Sequence, residues 1–435
     1  MKTGGMPSKM EETMNKAKSL LTALAFGLLS TTMSLAGQVR IMWYSDGNEG
    51  VVLQDLIDRF MQDNPSIKVI IDNVSYSTIK EQLPIQLEAG NGPDIARVTN
   101  LKAQADQWLD LTPYIKDPQY WRDNYGAQAD WMRPDGSEAI TGFMTQITLT
   151  GGYANKTLFD QAGVELPGSK ATWDQWVAAA AKVAKSQQVP YAIAMDRSGH
   201  RISGPNISYG ANYIGDDGLP APLDDGAKAM ISRFVKWNNE GLADKQVWVS
   251  AAGSTYRAGS NDFINGQVAY YYSGNWQISN FSTKIGDMFD WVATGSPCGS
   301  AACSGMPGGA GLVAVKSTKN PADVGKVMDY LASAPVVKEF SERTLFLPAN
   351  KEVLAGGLDF KSDDPQVNAA LNGFVKASAT TSPNALALPG WKWSSAYYGA
   401  LVTRISQVIA GELTLEQAYE RIDLDIAAKV AEARR

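Results

Sequence analysis

An alternation of two hydrophobic periods between residues 39 and 98 constrains the fold of this chain more than any other feature. Residues 39–44 (V-R-I-M-W-Y) are largely apolar without clean alternation, the pattern of a strand buried on both faces. Residues 51–61 then repeat apolar side chains at Val52, Leu53, Leu56, Ile57, Phe60 and Met61, a helical period that Asn64 and Pro65 stop. A second strand is predicted at 67–71 and a second helix at 79–89. Gly92-Pro93-Asp94 leads into a third strand at 95–98. Strand and helix exchanged at this spacing predict an α/β fold with a parallel sheet.

The same signals return downstream. Thr172 and Gln175 have the spacing of a capping box opening a helix through 184, followed by a strand at 191–195. Asn320 before Pro321 reads as an N-cap with proline at the first helical position, for a helix to about 331. Thr414 and Gln417 open a final helix to about 431. Gly/Pro-rich stretches near 294–311 and 378–390 are candidate connections between domains.

The first 36 residues are set apart from this pattern. Lys16 and Lys18 precede a largely apolar run at 20–29, and Ser34-Leu35-Ala36 is a small-x-small cleavage site. The run is about half of what a membrane-spanning helix needs, so residues 1–36 predict an export signal cleaved near Ala36. Residues 1–13 fit no signal pattern, which leaves Met1 or Met14 as the start. Gln38 follows Gly37 where a lipid-anchored product would need cysteine. The expectation is an untethered exported protein, not a lipoprotein, confined to a periplasm.

Composition excludes several partners. The chain carries a net charge of −6, and 1–36 holds four Lys and two Glu, so the remainder sits near −8. With no basic run, neither nucleic acid nor an anionic membrane surface is an expected partner. No apolar run of eighteen follows the signal, so no membrane insertion is expected. Cys298 and Cys303 lie in a Gly/Ser/Ala/Pro-rich stretch, where an oxidising compartment favours a local disulfide. A redox pair or half a metal site are the alternatives; the first is usually spaced C-x-x-C, and the second needs further ligands. His200 is the single histidine, which excludes mechanisms needing two. No G-x-S-x-G, P-loop or H-E-x-x-H pattern is present, and no cofactor or metal is implied.

Several segments resemble the bacterial extracellular solute-binding proteins of the family that includes maltose-binding protein. Gly90-Asn91-Gly92-Pro93-Asp94-Ile95 looks like that family's G-x-G-P-D-[IV] strand entry, Tyr153-Ala154-Asn155-Lys156 its Y-N-K strand, and Thr172-Trp173-Asp174 its T-W-[DE] helix start. Phe263, Gly266, Val268 and Ala269, followed by Gly274-Asn275-Trp276, are similar to F-x-x-G-x-x-A…G-x-W. Asn320-Pro321, Leu347-Pro348-Ala349 and Gly411-Glu412-Leu413-Thr414 with Ala418 complete the order, from about residue 39 to 430. The resemblance implies a two-lobe periplasmic-binding-protein fold, type II-like, with a ligand cleft and three crossings near 148–151, 308–312 and 359–365. It implies an N-lobe of 37–148 plus 311–362 and a C-lobe of 149–310 plus 363–435. It also implies hinge closure on a small-molecule carbohydrate, delivery to an inner-membrane ABC permease, a monomer, and no catalysis.

Sugar recognition needs planar polar side chains for hydroxyls and an aromatic plate for the C–H face. Trp276, after Asn275, is the first candidate plate, with a core tryptophan as the competing reading. Trp391, Trp393, Tyr397 and Tyr398 cluster before a helix, at the cleft lip or in the core. Tyr44, Asp46, Asn48 and Glu49 lie where the first strand meets its helix, the position at which α/β sheets bind ligands; helix capping competes for Asp46 or Asn48. Thr99 and Asn100 occupy the equivalent loop after the third strand, which lacks the Asp that some maltodextrin binders place one residue later. Asp196, Arg197, His200 and Arg201 follow the strand at 191–195, and Arg343 precedes Leu345. Arginine there suits a carboxylate, phosphate or sulfonate as well as plain hydroxyls. Of Tyr270, Tyr271 and Tyr272, alternate members face opposite sides of a strand; Tyr272 is taken for the cleft and at least one for the core. Two other readings compete with carbohydrate capture. One keeps the fold and binds glycerol-3-phosphate or another anionic sugar derivative, such as a sulfonated sugar. The other is an exported glycoside hydrolase, needing two carboxylates about 5–10 Å apart.

Overall fold

The computed structural model describes Met1, residues 37–360 and residues 362–434, so the expected export segment lies outside the described residues apart from Met1. Strand β1 (Gly37–Tyr44) leads to helix α1 (Glu49–Asp63), strand β2 (Ile67–Val74), helix α2 (Tyr76–Glu88) and strand β3 (Ile95–Val98). β1 lies between β2 and β3 and is parallel to both, as the alternation predicts. Helix α2 begins earlier than its apolar period because Ser75 caps it, accepting the Thr78 N–H at 3.0 Å.

Beyond β3 the sheet ceases to be parallel. Strand β4 (Gly142–Asn155) is long; its first half pairs antiparallel with β8 (Pro307–Ala314), its second half with β6 (Val268–Gly274) and β7 (Trp291–Gly295). β8 in turn is antiparallel to β3, and β5 (Tyr191–Met195) is parallel to β6. Among the described residues the strands form one eight-stranded mixed sheet in the order β2-β1-β3-β8-β4-β6-β5, with β7 on β4. The antiparallel members pair across more than a hundred residues of chain, and no local signal marks such partners. The β4–β8 register slips between Met144 and Gln146, a bulge that re-aims the side chains beside it.

Helix α3 (Trp173–Gln187) carries the predicted capping box of Thr172 and Gln175, and helix α4 (Gly199–Ser208) follows β5. Later helices are α5 (Gln277–Lys284), α6 (Pro321–Ala332), α7 (Ala334–Thr344), α8 (Pro365–Ser378), α9 (Ser394–Ala410) and α10 (Leu415–Glu432), the last with its own capping box. Asn320 departs from expectation: its side chain makes no cap bond and instead donates to the Gln38 carbonyl at 2.9 Å. Cys298 and Cys303 form a disulfide. Among the described residues no helix is long and apolar enough to cross a membrane.

Apolar side chains gather on both sides of the β4 crossover. One core packs α1, α2, α6 and α7 against β1–β3 and β8; the others pack around β5 and β6, with α3, α9 and α10 in one and α8 in the other. Tyr270 and Tyr272 fall in one of these and Tyr271 in the other, the consequence of strand alternation, so all three tyrosines are core. Trp276, which follows β6, reaches back to join the first core.

Candidate functional site

The loop after β1 is shaped by a buried carboxylate. Glu49, the first residue of α1, is fully buried and accepts the backbone N–H groups of Asp46 and of Gly47, the latter at 2.7 Å. It also pairs with Arg97 of β3 at 3.0 Å. The Arg97 guanidinium lies over the rings of Trp43 and Tyr44, 4.6 and 4.2 Å from their centroids, and donates to the Tyr44 carbonyl. This cation–carboxylate pair folds the loop tightly and turns the Asp46 carboxyl outward, 3.7 Å from Arg97 Nη2. Burial first, and Glu49 second, push the Asp46 carboxyl up to about 7, against the pull of Arg97 and Arg201.

Asp46 looks into a cavity of about 240 Å³ enclosed between the two sides of the molecule. From the first side come Tyr44, Tyr76 and Lys80 of α2, and Thr99 and Asn100 after β3. Tyr76 packs on Tyr44 at 4.9 Å and shares a hydrogen bond with Thr99 Oγ1 at 2.8 Å. The crossing strands give Gln146, Thr148, Pro307, Gly308 and Gly309. Gly309 must lack a side chain, since a Cβ there would stand 2.2 Å from the Gln146 carbonyl oxygen.

The far wall is built on Asp196, at the carboxyl end of β5. Its buried carboxylate accepts from Tyr271 OH, Ser273 Oγ, Tyr256 OH, the Gly259 N–H and Arg201 Nε. The Arg201 guanidinium lies over the Trp276 ring, 4.1 Å from its centroid, and donates from Nη1 to His200 Nδ1 at 3.0 Å. With Nδ1 accepting, His200 Nε2 carries the proton and donates to the Pro307 carbonyl at 3.1 Å. Burial, then the Arg201 and Lys80 charges, push the imidazole down to about 3, so His200 stays neutral. Tyr76 meets Tyr256 edge-on at 5.0 Å across the cleft, and Ser279 Oγ donates to Asn48 Oδ1 at 3.2 Å, so the lobes touch in this structure.

Of the residues singled out from sequence, Tyr44, Asp46, Thr99, Asn100, Arg197, His200 and Trp276 stand on the cavity wall, as do Arg201 and Tyr398. Arg197, however, has committed its guanidinium to Trp248 O, Ser406 Oγ, Thr255 O and Gly253 O. The others lie elsewhere. Glu49 holds the loop. Asn48 ties Ser279 to the Arg343 carbonyl. Tyr272 is buried, its hydroxyl shared with Thr150 and Ser296. Asn275 clasps the crossing strand through Leu149 N and Ile147 O. Arg343 makes surface ion pairs with Asp55 and Glu339. Trp391 and Trp393 are core, the former donating to the Gly218 carbonyl. Sequence reasoning missed Tyr76, Lys80, Gln146, Thr148, Ser254 and Tyr256. Gln146 and Thr148 carried a signal as polar residues inside a largely apolar strand; the 253–257 loop carried none.

Comparison with known proteins bears on the family and the fold. Residues 44–338 match the family model described as bacterial extracellular solute-binding protein. A binding protein of Brucella abortus (strain 2308) is 24% identical over 394 residues, covering 86% of this chain and 89% of that protein. Among solved structures, the chain is similar to an ABC substrate-binding protein of Listeria monocytogenes in complex with cycloalternan. The TM-score is 0.75 at 18% identity, over 91% of this chain and 99% of that one. The GacH receptor of Streptomyces glaucescens, solved unliganded and with acarbose, aligns with TM-score 0.72 at 20% identity, over 89% and 97%. A solute-binding protein of Thermotoga lettingae bound to α-D-tagatose aligns with TM-score 0.73 at 17% identity, over 90% and 98%.

Proposed function

This chain belongs to the bacterial extracellular solute-binding proteins, and on that footing we propose that it captures a short saccharide in the cavity between its lobes and presents it to an ABC importer without chemically altering it. One observation carries the reading. Gln146 Oε1 and the Tyr398 hydroxyl are buried with no hydrogen-bond partner among the described residues, on a cavity wall that Tyr44, Tyr76, Tyr256 and Trp276 also line. A buried polar atom left unpaired costs about 1–3 kcal/mol, and the hydroxyls of a sugar ring supply the missing partners while its C–H face meets the aromatics. Relatives of this fold are described in complex with cycloalternan, acarbose and α-D-tagatose, which supports a carbohydrate ligand here.

The hydrolase alternative lacks a second carboxylate. Asp46 is the one carboxylate residue among the described residues that line the cavity, and Asp196 behind the wall is saturated by five donors. In this reading 37–148 with 311–362 move as one lobe and 149–310 with 363–435 as the other. The protein works as a periplasmic monomer after cleavage near Ala36. A thermal-shift screen of the purified protein tests capture: a ligand at about 100 times its dissociation constant adds roughly 2.7 kcal/mol of stability. Stabilisation by a saccharide with no product on prolonged incubation is the expected result. Product formation, or a panel with no stabilising saccharide, refutes it.

A further inference from the structure

Charge around the cavity is unevenly matched. Arg97 is balanced by Glu49, and Arg201 by Asp196 at 3.2 Å. Arg197 spends its N–H groups on carbonyls and a hydroxyl, with no carboxylate among them. Lys80 lines the cavity and has no hydrogen-bond or ion-pair partner among the described residues; its ammonium lies 5.6 Å from the Tyr76 ring centroid. Against these two cations the lining offers Asp46, which is itself pushed up to about 7 and so carries only part of its charge near neutral pH. His200 is neutral and adds nothing to either side.

A second source of positive potential opens on the same space. Ser198, Gly199 and His200, at the start of the ten-residue helix α4, line the cavity, and Ser198 makes no side-chain cap bond. The Arg201 N–H already donates to the Ser198 carbonyl at 3.1 Å, which leaves the Gly199 and His200 N–H groups without a side-chain cap at the positive end of the helix dipole. Gly199 packs against the α9 backbone so closely that a Cβ would stand 2.3 Å from Tyr398 Cα, which fixes where this helix end points. An independent feature of the wall is Gln146, 2% exposed, whose Oε1 has no partner among the described residues. A bare anion suits Lys80 and the helix end and leaves that acceptor unpaired. A neutral sugar suits Gln146 and leaves Lys80 unpaired. An aminosugar cation meets the surplus positive charge.

Resting on the saccharide reading above, we propose that the captured solute is an acidic saccharide. Its carboxylate or phosphate group is held by Lys80 and the N-terminus of α4, and its hydroxyls by Gln146, Asn100 and Asp46. The chemistry shared by the two sources is an oxyanion on a polyhydroxylated ring, and the wall that binds it is built from both lobes.

The test is calorimetric titration of the purified protein with matched probes: neutral hexoses and hexose disaccharides, their uronates, their phosphate monoesters, and inorganic phosphate alone. The expected result is that an acidic member binds at least tenfold more tightly than its neutral parent, and that the preference shrinks as salt rises. Uronate and phosphate arms separate the two sources. Lys80→Gln should weaken binding of the acidic member at least tenfold more than binding of its neutral parent, and so shrink the preference; Lys80→Arg should restore part of it. Neutral sugars binding as well as or better than their acids, or an unaltered preference in Lys80→Gln, overturns this proposal and leaves carbohydrate capture standing. Binding of inorganic phosphate as tight as that of any saccharide overturns the saccharide part of it. No binding by any saccharide, acidic or neutral, overturns the function proposed above and this inference with it.

Discussion

Arg197→Met should unfasten one wall of the cavity. The guanidinium donates to Trp248 O and Ser406 Oγ, each at 3.0 Å, to Gly253 O at 2.6 Å and to Thr255 O, and the side chain is 1% exposed. It therefore pins the 253–255 segment to the end of β5 and to α9, and that segment carries Ser254, with Tyr256 directly after it, onto the cavity wall. Hydrogen bonds to a charged group contribute roughly 1.5–3 kcal/mol each. Carbonyls of a released loop recover water, so the bonds do not add in full, and about 4 kcal/mol is the expected loss. Methionine fills much of the volume, which keeps cavity creation out of the measurement. The assay is urea unfolding together with amide exchange over 253–257. The expected result is a lower midpoint at unchanged slope, lost protection in that loop, and weaker ligand binding; Arg197→Lys, which cannot bridge four acceptors, should fall between. Wild-type stability and wild-type loop protection in Arg197→Met would refute the argument. So would weakened binding of acidic ligands alone with the loop unmoved, because Arg197 would then be an anion contact.

Trp276→Phe should weaken ligand binding at least tenfold while the fold is kept. Trp276→Ala is the poorer probe, because this tryptophan is buried in the first core and its truncation should cost about 3–5 kcal/mol of stability by urea titration. Replacing Cys298 and Cys303 by serine opens a loop with sequence separation 5, which on the loop-entropy account costs about 2 kcal/mol, read as a shifted unfolding midpoint under non-reducing conditions. Asp46 titrates near 7 in the folded protein and near 3.8 unfolded, so the native state binds more protons within that window. Its contribution to stability is most favourable at the acid end and is lost as pH rises through 7. Tyr44, Glu49, Arg97, Tyr76, Arg201 and Asp196 face or surround it and stay in place in Asp46→Asn. That variant should be relatively more stable than wild type at pH 8 than at pH 5; an identical pH profile would remove Asp46 from the titration.

The parallel β1–β3 unit, both capping boxes and the disulfide were legible because each is encoded within a few neighbouring residues. What could not be read was partnership at long range. Glu49 and Asp46 looked equivalent in sequence; Arg97, nearly fifty residues on, takes Glu49 into the core and leaves Asp46 in the cavity. Arg197 and Arg201 looked equivalent too, and carbonyls from the 253–255 segment claim the first while Asp196 and Trp276 orient the second. Trp391 and Trp393 were equally readable as plate or core, and the packing of α9 and α10 draws them inward. Gln146 entered the site through a bulge in β4 that no local pattern announces.

Titration of the most stabilising saccharide into the wild-type protein and into Gln146→Leu tests the central claim most directly. Among the described residues Gln146 Oε1 has no hydrogen-bond partner, so its replacement disturbs little of the fold. Capture in this cavity predicts micromolar or tighter binding to the wild type, at least tenfold weaker binding to the variant, and a melting temperature without ligand no lower than that of the wild type. Equal affinity in the two proteins would place the ligand elsewhere and contradict the account.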